Sequence, residues 1–472
     1  MVNNLNNTLT RQKMRSLSEG IPNISVRLDR LDRLMYMMIE FQDHIPDALV
    51  EDFGHRSPII SKFSDIAAVL DSIRYIKKNL KRWMKPDIRF AASPFNWFGA
   101  KAHVRYQPVG SVGIIGPWNY PFNLIIGPLA AVLAAGNRAM IKPSELTPKS
   151  SNLVKRMISE YFEPEEIAVV LGDGSVGEEF SKLAFDHLFF TGSTAVAKKI
   201  MAAAATHLVP VTLELGGKSP VIVGCSADLK IVADRVWNGK LMNGGQTCIA
   251  PDYLFIPEES LESWIEASTN SIASMFPLIF KNEDYTSIIN VNHFERLQGY
   301  LEDARRRGAQ IIEFNPGREE ELDRTHYKLM PSMIVDVNDD MLVMKEEIFG
   351  PIMPIKTYRK IDDAIRYINN RSKPLSLYYF GQDKTEEIHV LENTISGGVS
   401  INDVIFHYVQ DDLPFGGVGA SGMGRYHGIE GFKTFSNPRA VYRQTPIDFI
   451  LKIMRPPFGH LFKRIISSRI KF

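Results

Sequence analysis

Cysteine is nearly absent from this sequence. Two residues in 472, Cys225 and Cys248, carry thiols, and they form no CxxC pair. A disulfide-stapled scaffold is therefore excluded, and a reducing compartment, the cytoplasm, is expected. A dominant charge is absent too. Lys and Arg number 55 and Asp and Glu 54, for a formal net charge of +1. No global field calls for nucleic acid or an acidic ligand, and the scattered basic residues read as solvated surface. A long apolar run is also lacking. The most apolar stretch, Leu124 to Ala135, is interrupted by Pro128 and falls short of the roughly 20 residues that span a bilayer. The N-terminus has no apolar core and does not read as a secretory signal. The 11 histidines include no HExxH and no close pair, which leaves a metal site without support. Internal repeats and low-complexity linkers are missing as well.

What is present is a chain long enough for two or three domains. Residues 24 to 85 read as mostly helical: Leu28, Leu31, Met35, Met38 and Ile39 recur at helical spacing, as do Ile66, Val69, Ile73 and Ile76. These stripes are expected to face a core. Pro86 to Val104 is rich in Pro and aromatics and has little helical period. From about residue 109 short apolar runs alternate with helical segments. Strands are expected at Val112–Ile115, Ala139–Lys142, Ala168–Leu171, His187–Phe190 and Val211–Leu215. Helices fall between them, at Ser150–Tyr161 and Thr194–Ala205 for example. That alternation predicts a parallel, doubly wound α/β sheet. A second α/β series runs from about 220 to 400.

The segment Phe449 to Phe472 has a different composition. It carries Lys452, Arg455, Lys463, Arg464, Arg469 and Lys471, no acid, and interleaved apolar residues. Such a basic amphipathic tail suits weak peripheral contact with an anionic membrane surface. The plainer reading is a tail packed on its own subunit or on a neighbour.

Cys248 closes the run Asn243-Gly244-Gly245-Gln246-Thr247-Cys248. A lone cysteine is most often an inert core residue, and that reading suits Cys225 in its apolar run PVIVGCSA. The surroundings of Cys248 are different. Gly113-Ile-Ile-Gly-Pro-Trp-Asn119-Tyr-Pro-Phe122 follows an expected strand and carries an amide. Leu213-Glu214-Leu-Gly-Gly-Lys-Ser-Pro220 puts a carboxylate at a strand end beside two glycines. Ile141-Lys142-Pro-Ser-Glu145 and Phe189-Phe-Thr-Gly192-Ser193-Thr194 look like cofactor contacts. Glu346-Glu347-Ile-Phe349-Gly-Pro351 and Leu413-Pro-Phe-Gly-Gly-Val418 follow. Each residue also has a plainer role: Asn119 in a turn, Glu214 and Lys142 as solvated charges, Glu347 at a helix end, Phe349 in the core.

Two glycine patterns compete for a dinucleotide. Gly172-Asp-Gly174-Ser-Val-Gly177 matches G-x-G-x-x-G between an expected strand and an expected helix. The ribose-binding acid expected about 20 residues later is missing, because Glu214 is the first acid after Asp186. Gly417-Val-Gly419-Ala-Ser-Gly422 matches too, with no strand before it, and reads as loop near the active site.

Taken in order, these motifs resemble those of the aldehyde dehydrogenase family along nearly the whole chain. Glu214 and Cys248 stand 34 residues apart (248 − 214), as the family pattern implies. CIAPDY, IKPSE and INDVIFH look most like the class 3 branch, and FGHRS (Phe53–Ser57) is similar to bacterial coniferyl aldehyde dehydrogenases.

The resemblance implies a fold and a set of roles. The fold is α/β: a doubly wound parallel-sheet cofactor domain, an α/β catalytic domain and a small bridging, oligomerisation sheet. It places an NAD(P)-binding domain at 1–85 and 105–216, a catalytic domain at 217–408, the bridging sheet at 86–104 and 432–444, and a tail at 445–472. Cys248 would be the nucleophile, forming a thiohemiacetal and then a thioester with an aldehyde. Asn119 and the backbone N–H of Cys248 would hold the oxyanion, and Glu214 would be the base that hydrolyses the thioester. The reaction needs such help, since a thiol with a free pKa near 8.5 is only about 3% ionised at pH 7.

Lys142, Glu347, Phe349 and Trp118 would meet the cofactor, with the turn Gly192, Ser193, Thr194 under its pyrophosphate. Ala197 stands where the family often has glycine, and its methyl is expected to alter how closely the cofactor approaches. Glu145 would accept from the adenosine 2′-OH and repel a 2′-phosphate, which favours NAD and leaves NADP possible. Tyr120, Ile405, Phe406 and His407 (with Phe122 and Tyr408 nearby) would line a tunnel for an apolar or aromatic aldehyde. Alternatives are a long-chain aliphatic aldehyde, a CoA-acylating enzyme, for which Glu214 would be superfluous, or a catalytically silent protein. The bridging sheet leaves an edge, so a homodimer is expected.

Overall fold

The computed structural model describes residues 2–320 and 326–470. Three sheets organise it. The strands Ser111–Ile115, Arg138–Lys142, His187–Gly192 and Val211–Leu215 are apolar and almost wholly buried, the signature of a sheet covered on both faces. They pair in parallel, with Ile167–Val169 at one edge and Gly422–Met423 running antiparallel at the other. Ile167–Val169 is shorter than the sequence predicts, since the chain turns away towards Gly172, whose φ is 152°.

The second sheet runs in the order Gln310–Glu313, Ser332–Val335, Ile352–Tyr358, Tyr253–Pro257, Pro220–Val223, Ser376–Phe380, Gly398–Ile401. It is parallel except for Gln310–Glu313. The third is a small antiparallel sheet of Asp87–Arg89, Lys101–Pro108 and Ser436–Arg443. The doubly wound cofactor sheet, the α/β catalytic sheet and the bridging sheet are thus all present.

The apolar stretch at 124–135 forms the helix Asn123–Ala135, buried on nearly every side. It is a core helix, and among the described residues no helix is long and apolar enough to cross a membrane. One element is illegible in the sequence. Val2–Glu19 is a helix, and among its described side chains the buried apolar anchors are Leu5 and Leu9. Two such residues are too few to show a period. It is held instead by Gln12, whose amide donates to Ala139 O at 2.8 Å and Pro164 O at 2.9 Å. A second irregularity lies at Lys62–Ala67, where the helix widens into a π-helical turn. Such turns add a residue to the helix and often re-aim side chains at functional sites.

Function-bearing loops gather where the two larger sheets meet. Strands Ser111–Ile115, His187–Gly192 and Val211–Leu215 all deliver their C-terminal ends to this seam, where ligands bind in open α/β sheets. The tail helices Asp448–Ile453 and His460–Ile470 bury no residue. Lys471 lies outside the described residues.

Candidate active site

The turn that carries Cys248 is left-handed at three consecutive positions: Asn243 at φ 53°, Gly244 at 62° and Gly245 at 77°. A side chain at Gly245 would also lie 2.3 Å from Gly350 O, so glycine is required there. Gln246 then pins the turn. Its amide donates to Asn243 O and Ser287 O, each at 2.9 Å, and its Oε1 accepts from Ile289 N at 2.9 Å. Both N–H groups and the carbonyl oxygen of this buried side chain thus tie the turn ahead of Cys248 to the main chain at Ser287 and Ile289.

Asn119 approaches from the other sheet. Its side-chain nitrogen donates to Gln246 O at 3.0 Å, which orients the amide and leaves its second N–H available. Its backbone carbonyl accepts from Asn243 Nδ2 at 3.0 Å and from Arg56 Nη1 at 2.7 Å. Amide and thiol are therefore brought together by one buried network.

Burial shifts the ionisable groups around Cys248 towards their neutral forms. Burial, then the nearby carboxyls of Glu347 and Glu214, push the thiol up to about 12; the backbone N–H groups of Cys248 and Ile249 oppose this. Burial raises Glu214 well above the usual carboxylate range, with Arg425 pulling it down. Both of its carboxyl oxygens are buried without a hydrogen-bond partner among the described residues. A buried polar group without a partner costs stability, so this one is placed for a ligand or water. Glu347 is pushed up to about 8, first by burial and then by Asp252.

Two cavities meet at the sulfur. A cleft of about 960 Å³ is walled by Trp118, Asn119, Lys142, Glu145, Gly192, Ser193, Glu214, Glu347 and Phe349, and it reaches Cys248. Trp118 meets Phe349 edge-on at 5.4 Å. On the other side an apolar tunnel runs to Cys248 past Phe63, Tyr120, Leu124, Ile405, Phe406 and Tyr408.

Several expected contacts fall elsewhere. Ala197 does not line the cleft: it is buried in the apolar cluster that holds Leu188 and Leu213. Thr194 turns its hydroxyl to Ala420 O at 3.0 Å. His407 points away from the tunnel, its ring nitrogens each 2.9 Å from the hydroxyls of Ser376 and Ser400. Cys225 is exposed, not in the core, because the apolar run ends with the strand at Val223.

The glycine patterns also resolve. Gly174 and Gly177 do border the cleft. However, Asp173 caps that helix, its carboxylate accepting from Ser175 N and Val176 N. An anion would meet a carboxylate there. The helix Thr194–Ala205 is capped by Ser193 and has no acid in its first turn, so its N-terminus suits a phosphate. Gly422 pairs with Glu214 across the sheet edge, which puts the second pattern beside the active site.

The family model for aldehyde dehydrogenases matches residues 22–441. The chain belongs to the aldehyde dehydrogenase family. A coniferyl aldehyde dehydrogenase from a Pseudomonas species is 50% identical over 463 residues, covering 98% of this chain and 95% of that protein. The substrate-bound structure of Staphylococcus aureus AldH superposes with a TM-score of 0.92 at 37% identity, covering 98% of each chain. An aldehyde dehydrogenase from Bacillus cereus, solved with NAD+, gives 0.83 at 26% identity, covering 94% of this chain and 89% of that one.

This aldehyde dehydrogenase therefore takes a nicotinamide cofactor, and the cleft fits one. Lys142 is buried and paired with Glu145 at its edge. Gly216 leaves room where a side chain would collide with the Glu347 carboxylate at 2.1 Å. Sequence reasoning missed Arg296 and His293, which also line the cleft. Arg296 donates to Ile348 O at 2.9 Å and so fixes the segment that carries Glu347. Nothing in their helical context, VNHFERLQGY, distinguishes them from surface residues.

Proposed function

We propose that this enzyme oxidises an aromatic aldehyde of the coniferyl type to its acid, with NAD as the preferred cofactor and Cys248 as the nucleophile. The observation that carries the reading is the position of Cys248, the point at which an apolar, aromatic-walled tunnel meets the cofactor cleft. The aldehyde enters by the tunnel between Phe63, Tyr120 and Phe406. Cys248 adds to its carbonyl as the thiolate, the thiol proton passing to solvent, and the second N–H of Asn119 receives the oxyanion. Bound in the cleft, the nicotinamide ring supplies the two-electron acceptor. Glu214 then takes a proton from the water that attacks the Cys248 thioester. Glu347 and Phe349 hold the nicotinamide side of the cleft, and Lys142 the adenosine side. Glu145, paired with Lys142 at the edge of the cleft, would accept from an adenosine 2′-OH and repel a 2′-phosphate, which favours NAD.

Absorbance of the reduced cofactor tests this directly. Coniferyl aldehyde should exceed saturated long-chain aldehydes in kcat/KM by about tenfold or more, a difference of about 1.4 kcal/mol. NAD should exceed NADP, and CoA should leave the rate unchanged. A higher kcat/KM for long-chain aldehydes or for NADP, or a requirement for CoA, overturns the corresponding part.

Two features bear on partners. Among the described residues the strand Ser436–Arg443 pairs only with Lys101–Pro108, and an open edge of this kind fits a homodimer. Phe449, Leu461 and Ile470 are exposed on the basic tail at 71%, 56% and 75%, which fits a weak hold on anionic lipid. Sizing should give a dimer at micromolar concentration, and a monomer refutes it. Truncation after Thr445 should abolish pelleting with anionic vesicles, and equal pelleting refutes the lipid reading.

A further inference from the structure

The FGHRS segment has no part in the chemistry described so far, yet its centre is a fully buried ion pair. Arg56 and Asp65 are both completely inaccessible, and Arg56 Nη2 lies 2.6 Å from Asp65 Oδ2. The other carboxylate oxygen accepts from the backbone N–H of Phe122 at 3.3 Å and of Asn123 at 3.2 Å. The other terminal guanidinium nitrogen, Nη1, donates to Asn119 O at 2.7 Å. The guanidinium also lies over the Tyr120 ring, 4.9 Å from its centroid. One ion pair thus grips residues 119, 120, 122 and 123.

The local backbone serves this arrangement. Asp65 lies in the π-helical turn Lys62–Ala67, where Ser64 and Asp65 both turn inward. Ser64 donates to the Asp65 carboxylate at 2.9 Å, and its carbonyl accepts from Asn123 Nδ2 at 2.6 Å. On the other side, His55 O accepts from Ser287 N at 2.9 Å, and Ser287 O accepts from Gln246. The same short segment therefore touches the main chain that carries Asn119 and the main chain that supports the Cys248 turn. A buried pair is weak evidence for stability as such, because desolvating two charges offsets their attraction. Geometry is the better explanation for its presence here.

We propose that Arg56 is a positioning residue for the oxyanion site: paired with Asp65, it fixes the Asn119 main chain so that the Asn119 amide faces the carbonyl under attack at Cys248. This rests on reading Asn119 as the oxyanion donor. Arg56 touches neither substrate nor cofactor.

The test is the pre-steady-state burst of reduced cofactor, measured with KM for NAD, in the full-length enzyme. Arg56→Met combined with Asp65→Asn removes both charges and leaves no orphan carboxylate. The burst rate should fall about 10- to 100-fold, the size expected for a misplaced catalytic group, with KM for NAD unchanged. Arg56→Lys should restore it to within about threefold, since an ammonium can donate to both acceptors. In an Asn119→Ala background the double change should add less than about twofold, because one interaction has already been lost. A wild-type burst in the folded double variant overturns the proposal, as do effects that multiply independently with Asn119→Ala. Failure of that variant to fold, with Arg56→Lys and Arg56→Gln both at the wild-type burst, makes the pair a folding element and overturns it too. A wild-type burst in Asn119→Ala itself overturns the donor assignment first, and is distinct from a failure confined to Arg56.

Discussion

Cys248→Ala will lose aldehyde oxidation by about 10⁴-fold or more, in line with removal of other covalent nucleophiles, while NAD still binds. No other thiol can substitute, since Cys225, the second in the chain, is an exposed surface residue. The resting chemistry of Cys248 adds a sharper expectation. Burial and two carboxyls hold the thiol up at about 12, and only the thiolate is nucleophilic. Iodoacetamide should therefore alkylate the cofactor-free enzyme slowly at pH 7, and faster as pH rises towards 12. Cys248→Ala should abolish that slow phase, leaving Cys225 as the sole labelled site by peptide mass. Rapid labelling of Cys248 at pH 7 would contradict the neutral thiol. An oxidation rate for Cys248→Ala within tenfold of wild type would remove Cys248 from the mechanism altogether.

Glu214→Gln should divide the reaction in two. The burst of reduced cofactor should survive, and steady-state turnover should fall by about 10²- to 10⁴-fold, the range for a positioned base. Burial raises Glu214 well above the usual carboxylate range, and only its ionised fraction can accept a proton. Deacylation by the native enzyme should therefore quicken as pH rises, whereas the Gln variant should show a flat profile. The change is nearly isosteric at a position 3% exposed, with no side-chain hydrogen bond among the described residues to lose, so the fold should tolerate it. Loss of the burst along with turnover would mean that Glu214 acts on the thiol as well. Unchanged turnover would remove it as a base.

The sheets were legible because their strands are short, apolar and regularly separated by helices. Val112–Ile115 and His187–Phe190 need little else to be recognised. Asn119, Glu214 and Cys248 were legible through ordered motifs, and the structure brings them to one seam. Side-chain direction was not legible. Ala197 and His407 sit beside true lining residues in sequence, yet one faces the core and the other faces two serines. A glycine pattern cannot reveal that Asp173 occupies the donors of its own helix. The Arg56–Asp65 pair depends on a π-helical turn, which adds a residue without any composition signal. Arg296 likewise works through a carbonyl contact that no spacing rule encodes.

The meeting of tunnel and cleft at one sulfur atom has a consequence for traffic. Under the proposed function the two ligands would use separate openings that meet at Cys248, and neither would have to leave for the other to enter. The acid would then depart the way the aldehyde came, and the spent cofactor through its own opening. The walls of one door, such as Phe63 and Phe406, can therefore change without altering the frame of the other. In this molecule, the choice of what is oxidised and the choice of oxidant are kept in different rooms, with a single shared threshold.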